Sequence, residues 1–162
     1  MDINKAFDIL MGFEGGATVT NLKNDKGGET KYGIAKASHP NIDIPSLTEE
    51  QAKNIYSAEY WKPCHCEELK PELQYIHFDT AVNCGIGSAN KILQRAAKVN
   101  DDGLIGPATI GASLSISIQD YAIERANHYK AIVEKDATQQ RFLSAWLNRV
   151  DTILKMYKSN RL

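Results

Sequence analysis

The sequence predicts a mainly α-helical protein with one short β-hairpin near its N-terminus. Apolar residues recur at three- and four-residue spacing through most of the chain, and one polar, glycine-punctuated stretch, ATVTNLKNDKGGETK at 17–31, breaks that rhythm. The 162 residues are 43% hydrophobic, enough to bury one compact core.

The elements follow in order. Ile3, Ala6, Phe7, Leu10 and Met11 mark an amphipathic helix that stops at Phe13-Glu14-Gly15-Gly16, so Glu14 sits at a helix C-terminus. Residues 17–31 read as an irregular hairpin with turns at Asn24-Asp25 and Gly27-Gly28. A loop spans Pro40 to Pro45. Ser46 with Glu49, or Thr48 with Gln51, then offers a capping box for a helix carrying Ala52, Ile55, Tyr56 and Tyr60, which Pro63 closes. From Pro71, Leu73, Ile76, Phe78, Ala81, Val82 and Cys84 are apolar on more than one face, which predicts a central, buried helix. Gly85 and Gly87 break it, Ser88 is placed to cap its successor, and Ile92, Leu93, Ala96 and Ala97 give that successor a buried stripe. Gly106-Pro107 reads as another helix start. Two amphipathic helices finish the chain, around Tyr121, Arg125 and Tyr129 and around Phe142, Trp146, Val150 and Ile153, with Trp146 expected in the core. A soft boundary near Gly85 to Ser88 divides the chain into 1–87 and 88–162, packed as one compact unit.

Composition excludes several functions. Nineteen basic and twenty acidic residues leave a net charge of -1 with no Lys/Arg run, so neither nucleic acid nor an anionic membrane surface is an expected partner. Recognition has to come from a cleft. No stretch reaches the roughly 20 apolar residues that cross a bilayer, and Asp2 stands where a signal peptide carries positive charge. The expectation is a protein made in the cytoplasm without a signal peptide. Cys64, Cys66 and Cys84 are an odd set, expected as buried free thiols. The four histidines include no HExxH, and Cys64-His65-Cys66 lacks a second ligand pair, so no metal or other cofactor is expected. The Asn-Asp-Asp-Gly turn at 100–103 is no calcium loop, because the EF-hand register would put Lys98 at the first ligand position.

The chemistry concentrates in the opening segment. A carboxylate at a helix C-terminus meets the negative end of the macrodipole, and beside Phe13 it resists ionisation, as a general acid must. Asp25, in a polar glycine-rich turn, ionises more easily. Two carboxylates in contrasting environments are what glycosidic hydrolysis uses, with Thr30 placed to hydrogen-bond the attacking water. Ordinary solvated acids on a surface hairpin are the competing reading.

The run Glu14-Gly15-Gly16 followed by NDKGGETKYGI resembles the opening signature of glycoside hydrolase family 108, the N-acetylmuramidases found as phage endolysins and in bacterial proteins labelled secretion activators. Here Asp25-Lys26-Gly27-Gly28 stands for the family's Asp-Pro-Gly-Gly. The resemblance continues through Tyr60-Trp61 with Cys66, Phe78-Asp79-Thr80-Ala81-Val82-Asn83-Cys84-Gly85, the Asp102-Gly103-Leu104-Ile105-Gly106-Pro107 element of a predicted peptidoglycan-binding segment, and Ala145-Trp146-Leu147-Asn148-Arg149-Val150.

That resemblance implies a lysozyme-like fold, a catalytic lobe over 1–87 and a peptidoglycan-binding lobe over 88–162. It makes Glu14 the catalytic acid, in the order Glu14, Asp25, Thr30 of phage-type lysozymes. Peptidoglycan glycan strands become the expected partner of a monomer that a holin or a secretion apparatus delivers to the wall. Tyr32, Tyr60, Trp61, Asp79 and Asn83 are the candidate substrate contacts. Tyr60 and Trp61 are stacking platforms or core residues. Asp79 and Asn83, one helical turn apart, line a cleft or bond internally, and Asp79 competes with Asp25 as second carboxylate. A non-catalytic peptidoglycan binder and a cell-wall amidase or peptidase are the alternatives.

Overall fold

The computed structural model describes residues 1–14, 16, 18–20 and 28–162, with Glu14 described by its backbone. The chain forms two compact units, Asp2–Glu59 and Tyr60–Leu162, the second joined by Met1.

The first unit begins with α1 (Ile3–Glu14), whose Ala6, Phe7 and Leu10 are at most 1% exposed. Strands β1 (Thr30–Lys31) and β2 (Ile34–Ala35) pair antiparallel, Thr30 opposite Ala35 and Lys31 opposite Ile34. Tyr32 and Gly33 turn the chain between them with φ of 53° and 75°. A two-residue turn with both φ positive matches the twist of the strands it joins. The expected 17–31 hairpin is present as a bridge between Thr20 and Thr30, while the strand pair itself lies one turn later. Helix α2 (Glu49–Tyr56) starts on a capping box in which Thr48 accepts from the Gln51 backbone and Gln51 accepts from that of Thr48, which decides between the two boxes the sequence offered. Phe7 meets Tyr56 edge-on at 5.6 Å, tying α1 to α2. Lys53 adds an ion pair to Asp8 at 3.1 Å and one to Glu49 at 2.7 Å. The helix runs on as a π turn over Ser57–Trp61.

The second unit is built around α3 (Pro71–Cys84), in which every residue from Leu73 to Ala81 is buried. Pro71 opens it where a missing N–H costs nothing. Helices α4 (Ile86–Ala96) and α6 (Ile118–Lys135) pack on α3, α5 (Pro107–Ser113) packs on α4, and α7 (Gln140–Lys158) packs on α6. Gly85, with φ of 82° and ψ of 154°, makes the break between α3 and α4 in a region that only glycine enters freely. The new helix starts at once, so Gly87 and Ser88 lie inside its first turn and Ser88 is not its cap, as the sequence suggested. Each fully buried Leu, Ile or Phe of this core contributes about 1.5–3 kcal/mol.

The Asn100–Gly103 turn is fastened by Gln94, itself 1% exposed. Its carbonyl accepts from Gly103 N at 2.8 Å, and its amide donates to Asp102 Oδ1 at 2.8 Å and to the Leu104 carbonyl at 3.0 Å. Asn90 donates to the Gly103 carbonyl at 2.9 Å. The acidic turn is therefore satisfied by α4 side chains. Cys64 and Cys66 are fully buried free thiols, and burial pushes Cys64 up to about 12, so neither supplies a thiolate nucleophile. No helix among the described residues is long and apolar enough to cross a membrane.

Candidate active site

Within the first unit, backbone hydrogen bonds fold the chain back on itself just beyond α1. Thr20 and Thr30 exchange both N–H to carbonyl bonds at 2.9 Å, and Tyr32 N donates to the Gly16 carbonyl at 3.0 Å. Gly16 is two residues past Glu14, so this pairing holds the strand bearing Thr30 against the segment that leaves the helix end. Thr30 is half-buried in this arrangement. The loop that carries Asp25, and the side chain of Glu14, lie outside the described residues. The bonds thus join Thr30 to Thr20 and Tyr32 to Gly16, on the segment that follows α1.

Tyr32 is 9% exposed. Its ring packs at 6.2 Å from Phe7, Lys31 Nζ lies 5.5 Å from the ring centroid, and its carbonyl accepts from Tyr56 Oη at 3.0 Å. It fixes the hairpin to α1 and α2, and it leaves no face wide enough to stack a sugar.

In the second unit the candidate contacts separate. Trp61 is 0% exposed, edge-on to Phe78 at 5.5 Å, with its indole N–H donating to Glu67 Oε1 at 3.1 Å. A fully enclosed indole cannot meet a pyranose, so the stacking role is corrected to core packing. Tyr60 keeps partial exposure.

Asp79 is also 0% exposed. Arg125 Nη1 lies 2.7 Å from its Oδ2, and Arg149 holds it with Nε to Oδ1 and Oδ2 at 3.1 and 3.2 Å and Nη2 to Oδ1 at 2.8 Å. Tyr75 Oη adds a bond to Oδ1 at 3.4 Å. Burial alone would raise the Asp79 pKa, but Arg125 and Arg149 outweigh it and hold the carboxyl below its ordinary value. Asp79 is an ionised structural anion joining α3, α6 and α7, which removes it both as a substrate contact and as a second catalytic carboxylate. Asn83, one turn on, is exposed and donates from its amide to the Asp79 carbonyl at 3.0 Å.

Asp79, Arg125 and Arg149 form a cluster that sequence reasoning missed. Its signal was present in Arg125, a permanent cation in the apolar stripe of Tyr121, Ala122 and Tyr129, which only a buried anion makes tolerable. Among the described residues no cluster of three or more His, Cys, Asp or Glu could hold a metal ion.

Residues 7–85 match the glycosyl hydrolase 108 family model, and residues 88–151 match a second model described as a predicted peptidoglycan domain. Residues 7–85 thus form a glycosyl hydrolase 108 segment. That segment contains Glu14, Asp25 and Thr30, together with both arms of the pairing beyond α1. The fold is similar to that of SagA from Brucella abortus, whose solved structure superposes with a TM-score of 0.78 at 24% identity, over 98% of this chain and 95% of that one. No curated protein matches the sequence. The chain thus carries a glycosyl hydrolase 108 segment on a lysozyme-like fold, followed by a segment that matches the predicted peptidoglycan domain.

Proposed function

We propose that this glycosyl hydrolase 108 protein is an N-acetylmuramidase, cleaving the β-1,4 bond between N-acetylmuramic acid and N-acetylglucosamine. Glu14 protonates the leaving oxygen; Asp25, with Thr30, positions or activates the attacking water. The observation that carries this reading is the family match over residues 7–85, which includes all three residues. The backbone bonds of Thr20 with Thr30 and of Gly16 with Tyr32 support it, because they tie the strand that carries Thr30 to the segment that follows α1.

The chemistry follows from environment. The negative end of a helix macrodipole favours the protonated form of a carboxyl carried there, and the 12-residue α1 ends at Glu14. The second carboxylate, in a glycine-rich polar turn, stays ionised and stabilises developing positive charge on the sugar. Within the second unit, Tyr60 and Asn83 keep exposure and remain proposed contacts to peptidoglycan. Delivery to the wall by a holin or a secretion apparatus, and action as a monomer, belong to the same proposal.

Lysis of purified cell walls by the wild type, Glu14→Gln and Thr30→Ala tests the roles. Loss of about 100-fold or more in Glu14→Gln, with a smaller loss in Thr30→Ala and unchanged circular dichroism in both, supports them. A folded Glu14→Gln protein with full activity refutes the acid.

A further inference from the structure

A cavity of about 330 Å³ opens where the last turn of α3 meets the first turn of α4, closed by α6 and α7. Of its lining, only Asn83 is among the proposed substrate contacts, and none is a proposed catalytic residue. Asn83, Ser88, His128 and Tyr129 give it a polar side, and Ile132 and Trp146 an apolar wall. The indole of Trp146, expected in the core, is instead half-exposed at this wall, stacked on Tyr129 at 5.0 Å and 22°.

The polar side is built on buried groups. Tyr129 Oη receives Arg125 Nε at 3.1 Å and Cys84 Sγ at 3.4 Å, so its own proton is left for another acceptor. Arg125 is 0% exposed, and its Nη2 has no hydrogen-bond partner. Helix α4 begins at Gly85 with no side-chain cap, which leaves first-turn N–H groups beside Ser88. Burial first, then the cations Arg95, Arg125 and Lys135, hold His128 below its ordinary pKa, so at neutral pH it offers one ring N–H inside a positive environment.

Hydroxyl and N–H donors in positive surroundings next to a small apolar wall complement a carboxylate carried beside a methyl group. Peptidoglycan offers two such groups, the alanyl end of a stem peptide and, where the stem peptide has been removed, the lactyl arm of muramic acid. We propose that this cavity binds a methyl-flanked carboxylate of peptidoglycan, seating the carboxylate on Ser88, His128 and Tyr129 and the methyl against Ile132 and Trp146. The inference rests on the reading that the chain acts on peptidoglycan. All five of these residues fall within the segment that matches the predicted peptidoglycan domain.

The test titrates the full chain with N-acetylmuramic acid, with L-alanyl-γ-D-glutamyl-L-lysyl-D-alanine, and with that peptide's C-terminal amide, following the Trp146 indole and His128 ring signals by NMR. A saturable response to either acid supports the site, and the acid that responds identifies the source. The tetrapeptide should lose at least tenfold in affinity on amidation, and Ser88→Ala and His128→Gln should each weaken the responding acid by at least tenfold. Silence to both acids overturns the proposal, as does a tetrapeptide response that the amide reproduces or a response that both variants retain. The amide comparison needs no variant to fold. Binding is read without turnover, so a chain that binds but releases no reducing ends fails the muramidase reading alone, and one that releases them without binding fails this inference alone.

Discussion

Replacing Asp79 by Asn keeps the shape of the side chain and removes one charge. In the native chain that charge is 0% exposed, 2.7 Å from the equally buried Arg125 and bidentate to Arg149. The variant leaves the Arg125 guanidinium facing a neutral amide in the core. Breaking a buried pair from one side costs about 3–5 kcal/mol, because the remaining charge loses its compensation without regaining water. Set against a total stability of about 5–15 kcal/mol, that is about a fifth of the fold or more. For a chain of this size it corresponds to a fall in melting temperature of roughly 6–20 °C. Urea denaturation followed by far-UV circular dichroism at pH 7 measures it. Asp8→Asn is the control, since its pair with Lys53 is solvent-exposed and should cost less than about 1 kcal/mol. A loss below about 1 kcal/mol in Asp79→Asn refutes the structural role. Abolished hydrolysis at unchanged stability would return Asp79 to the reaction.

Three further outcomes are expected. Burial lowers the His77 pKa to about 4, so the unfolded chain binds a proton that the folded chain refuses; stability is full above the unfolded value near 6.5 and falls as pH drops toward 4, by about 3 kcal/mol. His77→Gln should flatten that slope in urea titrations run at pH 7 and pH 4.5. Gln94→Ala should cost about 1–2 kcal/mol and speed hydrogen exchange at Gly103, because it strips the partner of a half-buried turn amide. Gly85→Ala should cost about 1–3 kcal/mol by thermal melt from backbone strain alone, since an added Cβ would meet nothing within 4 Å.

Much of the fold was legible because its signals are local. The all-round apolar pattern of 73–84 announced the buried helix, Pro71 and Pro107 marked helix starts, and the Thr48-Gln51 pair marked another. Features that depend on distant partners were not. The strand turn at Tyr32-Gly33 uses a tyrosine at positive φ, a choice favoured by its carbonyl bond to Tyr56, 24 residues away. Asp79 read equally as a cleft residue or an internally bonded one because its partners lie on α6 and α7, Arg149 being 70 positions on. Trp61 and Trp146 carry the same apolar signal, yet one is enclosed by Phe78 and the other borders a cavity. Gln94, an ordinary polar residue by sequence, anchors the 100–103 turn only because α4 passes beneath it. At the candidate site, the order Glu14, Asp25, Thr30 and its glycines were readable as a motif. The return of residues 30–32 onto 16–20 required the backbone.

The most direct measurement is digestion of purified peptidoglycan by wild type and Glu14→Gln, with borohydride-reduced products identified by mass spectrometry. Reduced muramic acid ends from the wild type alone are the predicted result. Reduced glucosamine ends, new amino groups without reducing ends, or equal products from Glu14→Gln would contradict the muramidase assignment to Glu14.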